Sequence, residues 1–65
     1  MHPHLLFFVT EDWYFCSHRI ELAKAAIKLG YKVSLITRIN KHREIIEAAG
    51  INIIPIIKIL IMTNL

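Results

Sequence analysis

LLFFVTEDWYFCSHRIELAKAAIKLGYKVSLIT, residues 5–37, reads as strand, corner, helix and strand. LLFFV (5–9) is a continuous apolar run of β-formers. Continuity rather than alternation asks for burial on both faces, as in a parallel sheet. The helical pattern starts near Ser17, which is the expected N-cap. From there Ile20, Ala23 and Ile27 recur on one face with Ala26 beside them. Gly30 stops the helix in the position just past a C-cap, where glycine is favoured. YKVSLIT (31–37) is the second strand, with Tyr31, Val33 and Leu35 alternating.

Further along, Asn40 is the expected N-cap of a short helix, KHREIIEAA (41–49), which Gly50 ends. INIIPI (51–56) is the third strand, and Pro55 places that region near an edge or a strand end. The order β-α-β-α-β with short connections is the first half of a doubly wound fold. The expected architecture is therefore α/β, a three-stranded parallel sheet with two helices, over residues 1–56. Right-handed crossovers and the strand order 3-2-1 put both helices on one side of the sheet. The other side then has no helix to cover it. The chain is expected either to begin a longer protein or to pair with another chain. Residues 57–65 read as a strand end or run-on tail rather than a covering helix.

Sixty-five residues allow one small domain. Such a chain buries only about 60% of the surface its unfolded form exposes, so it is marginally stable. Cys16 is the only cysteine, which excludes an internal disulfide and fits a reducing compartment. Hydrophobic residues make up 55% of the chain, which argues against disorder. The net charge of +3 comes from scattered Lys and Arg, not from the clustered basic face that nucleic-acid binding needs. MHPHLLFFVTEDW lacks the basic start and long apolar run of a signal peptide. INIIPIIKILIM is too short to span a bilayer and contains Pro55 and Lys58; a peripheral membrane contact stays open.

The corner after the first strand is where open parallel sheets bind ligands. TEDWYFCSHR contains no glycine, so a Rossmann phosphate loop is not expected there. Trp13, Tyr14 and Phe15 read either as core packing or as an aromatic platform for a sugar or lipid acceptor. His18 and Arg19 are read as opening the first helix, where its N-terminus and their side chains would hold an anion or a sugar hydroxyl. The alternative is that His18 hydrogen-bonds the strand ends. Asp12, Cys16 and His18 contain the residue types of a nucleophilic triad, but such groups usually converge from separate segments. Cys16 near a helix N-terminus invites a lowered pKa, against the commoner buried thiol. His2 and His4 are two apart, without further ligands for a metal. Arg38, Asn40 and His42, in TRINKH, lie at the same sheet edge as the corner, either as ligand groups or as a solvated, capped loop.

LLFFVTEDWYFCSHRIELAKAAIKLGYKVSLITRINKH resembles the N-terminus of bacterial retaining glycosyltransferases of the GT-B type, the glycosyl transferases group 1 or family 4. That group commonly shows an apolar strand and then a D-W-x-F-x-S-H-R-like corner. A helix ending in Gly-[YH]-x-V follows, and then a second strand ending near TR-x-N-x-H. The resemblance covers about residues 4–56. It implies a Rossmann-like domain that receives a glycan or lipid-linked acceptor, with a second domain holding a nucleotide-sugar donor. Asp12, Trp13, Phe15, Ser17, His18 and Arg19 match the corner, and Arg38, Asn40 and His42 match the second-strand motif. These would face the acceptor, with His18 the candidate closest to the sugar. No metal is implied. The setting implied is the cytoplasm, at the periphery of the inner membrane, in the building of cell-envelope polysaccharide.

The donor domain and the rest of the acceptor domain are not in this sequence. The high Ile and Lys content is that of an AT-rich coding sequence, in which a frameshift creates an ending like KILIMTNL. The expectation is thus a truncated glycosyltransferase piece, inactive alone, completed by a complementary chain or by self-association. The competing expectation is a small non-enzymatic interaction module that works through its exposed apolar sheet face. A small enzyme built on Cys16 is the weakest.

Overall fold

The computed structural model describes residues 2–63. It is an α/β structure with the element order β1 (His4–Glu11), α1 (Asp12–His18), α2 (Ile20–Lys28), β2 (Lys32–Arg38), α3 (Arg43–Ala48), β3 (Asn52–Pro55) and α4 (Ile56–Thr63). The three strands form one parallel sheet in the order β1-β2-β3. The β-α-β-α-β arrangement expected from the sequence is present.

Both crossovers pack on the same face. Leu5, Phe7 and Val9 of β1 and Val33 and Leu35 of β2 meet Phe15, Ile20, Ala23 and Ala26 of α1 and α2 and Ile46 of α3. All of the strand residues in this core are odd-numbered, as a period of two requires. Gly30 and Gly50 follow the ends of α2 and α3 with φ of 96° and 90°, a region that L side chains rarely adopt.

The first helix departs from its expected start. Ser17 lies inside α1 and exposed; the helix begins at Asp12, with Glu11 in the N-cap position and no side-chain cap. An acidic residue in the first turn complements the helix dipole, so Asp12 serves the start that Ser17 was expected to provide. The helix breaks at Arg19 (φ −126°, ψ −17°), which divides α1 from α2. His42, not Asn40, occupies the N-cap position of α3.

Continuous burial of β1 is also corrected. Its exposure alternates along its length, and Leu6 and Phe8 are 58% and 60% exposed on the face away from α1–α3. β2 is buried on both faces from Val33 to Thr37. The expected strand end or run-on tail at 57–65 is instead the helix α4, which packs on β2 and β3, while residues 64–65 lie outside the described residues. An apolar run broken only by Lys58 carries too little period from which to tell strand from helix. Pro55 makes the division: it has no N–H for the ladder, so β3 ends there and the chain turns helical. No helix among the described residues is long and apolar enough to cross a membrane.

Candidate functional site

The corner TEDWYFCSHR lies at the C-terminal edge of the sheet, and its helical conformation divides its side chains by face. Asp12 and Phe15 point inward and are fully buried. Trp13, Tyr14, Ser17, His18 and Arg19 are exposed. Phe15 sits in the core edge-on to Phe7, with centroids 5.4 Å apart and planes at 75°. It has no surface to offer a ligand.

The outward rings form a chain. Trp13 and Tyr14 meet edge to face at 5.9 Å. Tyr14 and His18 stack at 4.2 Å with planes 16° apart, as neighbours four apart on one helix face can. The His18 Nδ1 lies 3.3 Å from the Tyr14 carbonyl oxygen. A carbonyl only accepts, so this nitrogen carries the proton in that bond and leaves Nε2 as the outward group. His18 therefore closes α1 instead of opening a helix, in the last turn where a basic group suits the dipole. Its hydrogen bond runs along its own helix and not to the strand ends. Arg19, at the break, donates to the His18 carbonyl at 3.3 Å. Trp13, Tyr14 and Arg19 join Phe8–Glu11 of β1 around an open hollow of about 470 Å³.

Asp12 ties this corner to the loop after β2. Its Oδ2 accepts the backbone N–H of Asn40 at 2.7 Å and that of His42 at 3.1 Å. Its Oδ1 lies 3.4 Å from the His42 ring Nδ1, close enough for an ion pair but off the line of a hydrogen bond. Burial pushes the Asp12 carboxyl up, but the two N–H donors and the His42 ring outweigh it and hold the group below its ordinary 3.8. The carboxylate is therefore ionised at neutral pH. Beside it, Glu11 and Arg38 make an exposed ion pair at 3.8 Å, which adds little to stability. Thr37, at the end of β2, is fully buried, and its hydroxyl finds no hydrogen-bond partner among the described residues.

The structure thus brings Asp12, Asn40 and His42 together, groups Trp13 with Arg19 around the hollow, and links His18, which does not line it, through its stack on Tyr14. Phe15 stands apart in the core, Ser17 lies off the hollow, and Arg38 is engaged by Glu11. Asp12, Cys16 and His18 do not converge. Asp12 faces the second loop, and His18 bonds Tyr14. Burial, and then the nearby Asp12 charge, push the Cys16 thiol above its ordinary 9.0, the opposite of an activated nucleophile. No group of three or more metal-ligating side chains occurs among the described residues. His2 places its Nδ1 3.2 Å from the Gly30 carbonyl oxygen.

Tyr14, which the sequence offers only as core packing or aromatic platform and not as a motif residue, joins the site through its stack on His18. Its spacing of four from His18 is the available signal, but it is visible only if the helix starts at Asp12. Comparisons with protein-family models, with curated proteins and with solved structures return no match. What the site can do therefore rests on its own geometry.

Proposed function

We propose that the chain is the acceptor side of a retaining GT-B-type glycosyltransferase domain, and that it binds a glycan or lipid-linked acceptor without transferring sugar by itself. One observation carries this reading: the Asp12 carboxylate joins the corner motif to the second-strand loop at the C-terminal edge of a parallel sheet. That edge is where ligands settle in open α/β sheets. The outward Trp13, Tyr14 and His18 rings supply apolar faces for a sugar ring or an isoprenoid stem. Arg19 supplies a cation for a phosphate that links sugar to lipid. The donor nucleotide sugar belongs to a second domain that the described residues do not form. Such work places the chain on the cytoplasmic side, at the surface of the inner membrane, in envelope polysaccharide assembly.

Calorimetric titration and a transfer assay test this reading. The probes are a short polyprenyl diphosphate carrying a disaccharide, the free disaccharide, and UDP-glucose. The expected result is heat from the lipid-linked or free saccharide, none from UDP-glucose, and no transfer. Binding of the nucleotide sugar alone, or of none of the three, would overturn it.

A further inference from the structure

The two edges of the sheet are built differently. β3, at one edge, is four residues long and closes on Pro55. Short edge strands and prolines are devices that keep a second chain from adding to a sheet. β1, at the other edge, is eight residues long. Between His4 and Glu11 it carries neither a charged residue nor a proline. Leu6 and Phe8 on its open face are more than half exposed.

The pairing with β2 sets which backbone groups point outward. The Lys32 N–H donates to the Pro3 carbonyl at 2.9 Å, and His4 stands beside Lys32 in the parallel register. In a parallel ladder, alternate residues turn their N–H and C=O to the partner strand. Pro3, Leu5 and Phe7 therefore face β2, and the N–H and C=O of His4, Leu6 and Phe8 face out of the sheet. The outward backbone groups belong to the same residues whose side chains lie on the open face.

We propose that this edge docks a second copy of the chain, the two β1 strands pairing antiparallel about a two-fold axis at Phe7. A two-fold normal to the sheet keeps both open faces on one side, and it pairs even-numbered residues with even-numbered residues. Leu6 then exchanges backbone hydrogen bonds with Phe8 of the second copy, and Phe8 does so with its Leu6. The centre of the ladder is apolar on both faces. Moving to either neighbouring register of the same phase sets Phe8 against His4, or Leu6 against Thr10, and loses that match. The irregular register between Phe8 and Glu11 ends the ladder, because bulges terminate pairing. Phe8 is shared between the ladder and one wall of the hollow, whose other side is Trp13, Tyr14 and Arg19. Joining two three-stranded sheets in this way leaves only the β3 edges exposed, and those are the blunted ones. The symmetry closes, so association stops at two. The pairing stands whether or not the chain handles sugar.

Sedimentation equilibrium of the whole chain, with isotope-filtered NOE spectroscopy on an equal mixture of labelled and unlabelled chain, tests it. The expected result is a monomer–dimer equilibrium with cross-copy contacts between Leu6 and Phe8. Phe8→Lys should weaken association about tenfold or more, because two equivalent cross-strand pairs are lost. Leu6→Thr should weaken it about threefold, and it serves as the test if Phe8→Lys does not fold. A chain monomeric at every concentration, a dimer whose contacts run through α4, or open-ended association without a dimer would overturn the proposal.

Discussion

Asp12 holds His42 twice: its Oδ2 accepts the His42 N–H at 3.1 Å, and its Oδ1 lies 3.4 Å from the ring Nδ1. The carboxylate is fully buried and also takes the Asn40 N–H. Asp12→Ala leaves two backbone donors without that acceptor. It should cost about 3 kcal/mol, the scale for breaking charge-assisted hydrogen bonds in the interior. Asp12→Asn keeps one accepting oxygen but turns an amide toward donors, and should cost about 1–2 kcal/mol. Urea denaturation followed by circular dichroism reads both.

The same carboxylate sets an acid limit. Its folded pKa lies below the ordinary 3.8, so the folded state binds fewer protons than the unfolded chain there. The sign follows by linkage: the contribution is fully present above the unfolded pKa and is lost as pH falls through the folded value. The Asp12 contribution should be full and independent of pH around neutrality, and stability should fall as the solution is acidified below about pH 4, the unfolded carboxylate range. Asp12→Asn should flatten that fall. Denaturation midpoints across an acid pH series measure it.

Cys16 should be a slow nucleophile. Burial and then the Asp12 charge raise its pKa above 9.0. Alkylation by iodoacetamide at neutral pH should run well below the rate of a free cysteine, and should accelerate only on the alkaline side of the ordinary thiol range. Asp12→Asn should quicken it slightly by removing the neighbouring charge.

Neighbouring aromatic residues should respond oppositely to truncation. Phe15 is fully buried against Phe7 and the helices, so Phe15→Ala should cost about 3–5 kcal/mol. Tyr14 is exposed and stacks on His18. Tyr14→Ala should leave stability within about 1 kcal/mol and abolish most of the response to a saccharide probe. Denaturation curves and calorimetric titration of the two variants separate these roles.

The strands and their order were legible because Gly30 and Gly50 punctuate the chain and because odd-numbered apolar residues share a face. The start of α1 was hidden. Ser17 looks like a cap, but the residue that opens the helix is Asp12, whose side chain is committed to a loop 28 residues away. No local rule sees a partner at that distance. Placing the helix start at Ser17 also concealed the face division: from Asp12 onward the helical turn sends Phe15 inward and stacks Tyr14 on His18. α4 was hidden for another reason. An apolar run with Lys58 as its one polar break before Thr63 fits strand and helix alike, and the packing on β2 and β3 separates them. At the candidate site, Asp12 and His42 were chosen for their side chains, but Asn40 takes part through its backbone N–H, which no residue type announces.

The most direct measurement is an amide and indole chemical-shift map of the nitrogen-15-labelled chain titrated with a short polyprenyl-diphosphate disaccharide, with UDP-glucose in a parallel titration. The account predicts saturable shifts at the Trp13 indole, at Tyr14, His18 and Arg19, and across Asn40–His42 through the Asp12 contact, with no response to UDP-glucose. Shifts confined to α4 or absent altogether, or a response to UDP-glucose alone, would contradict it.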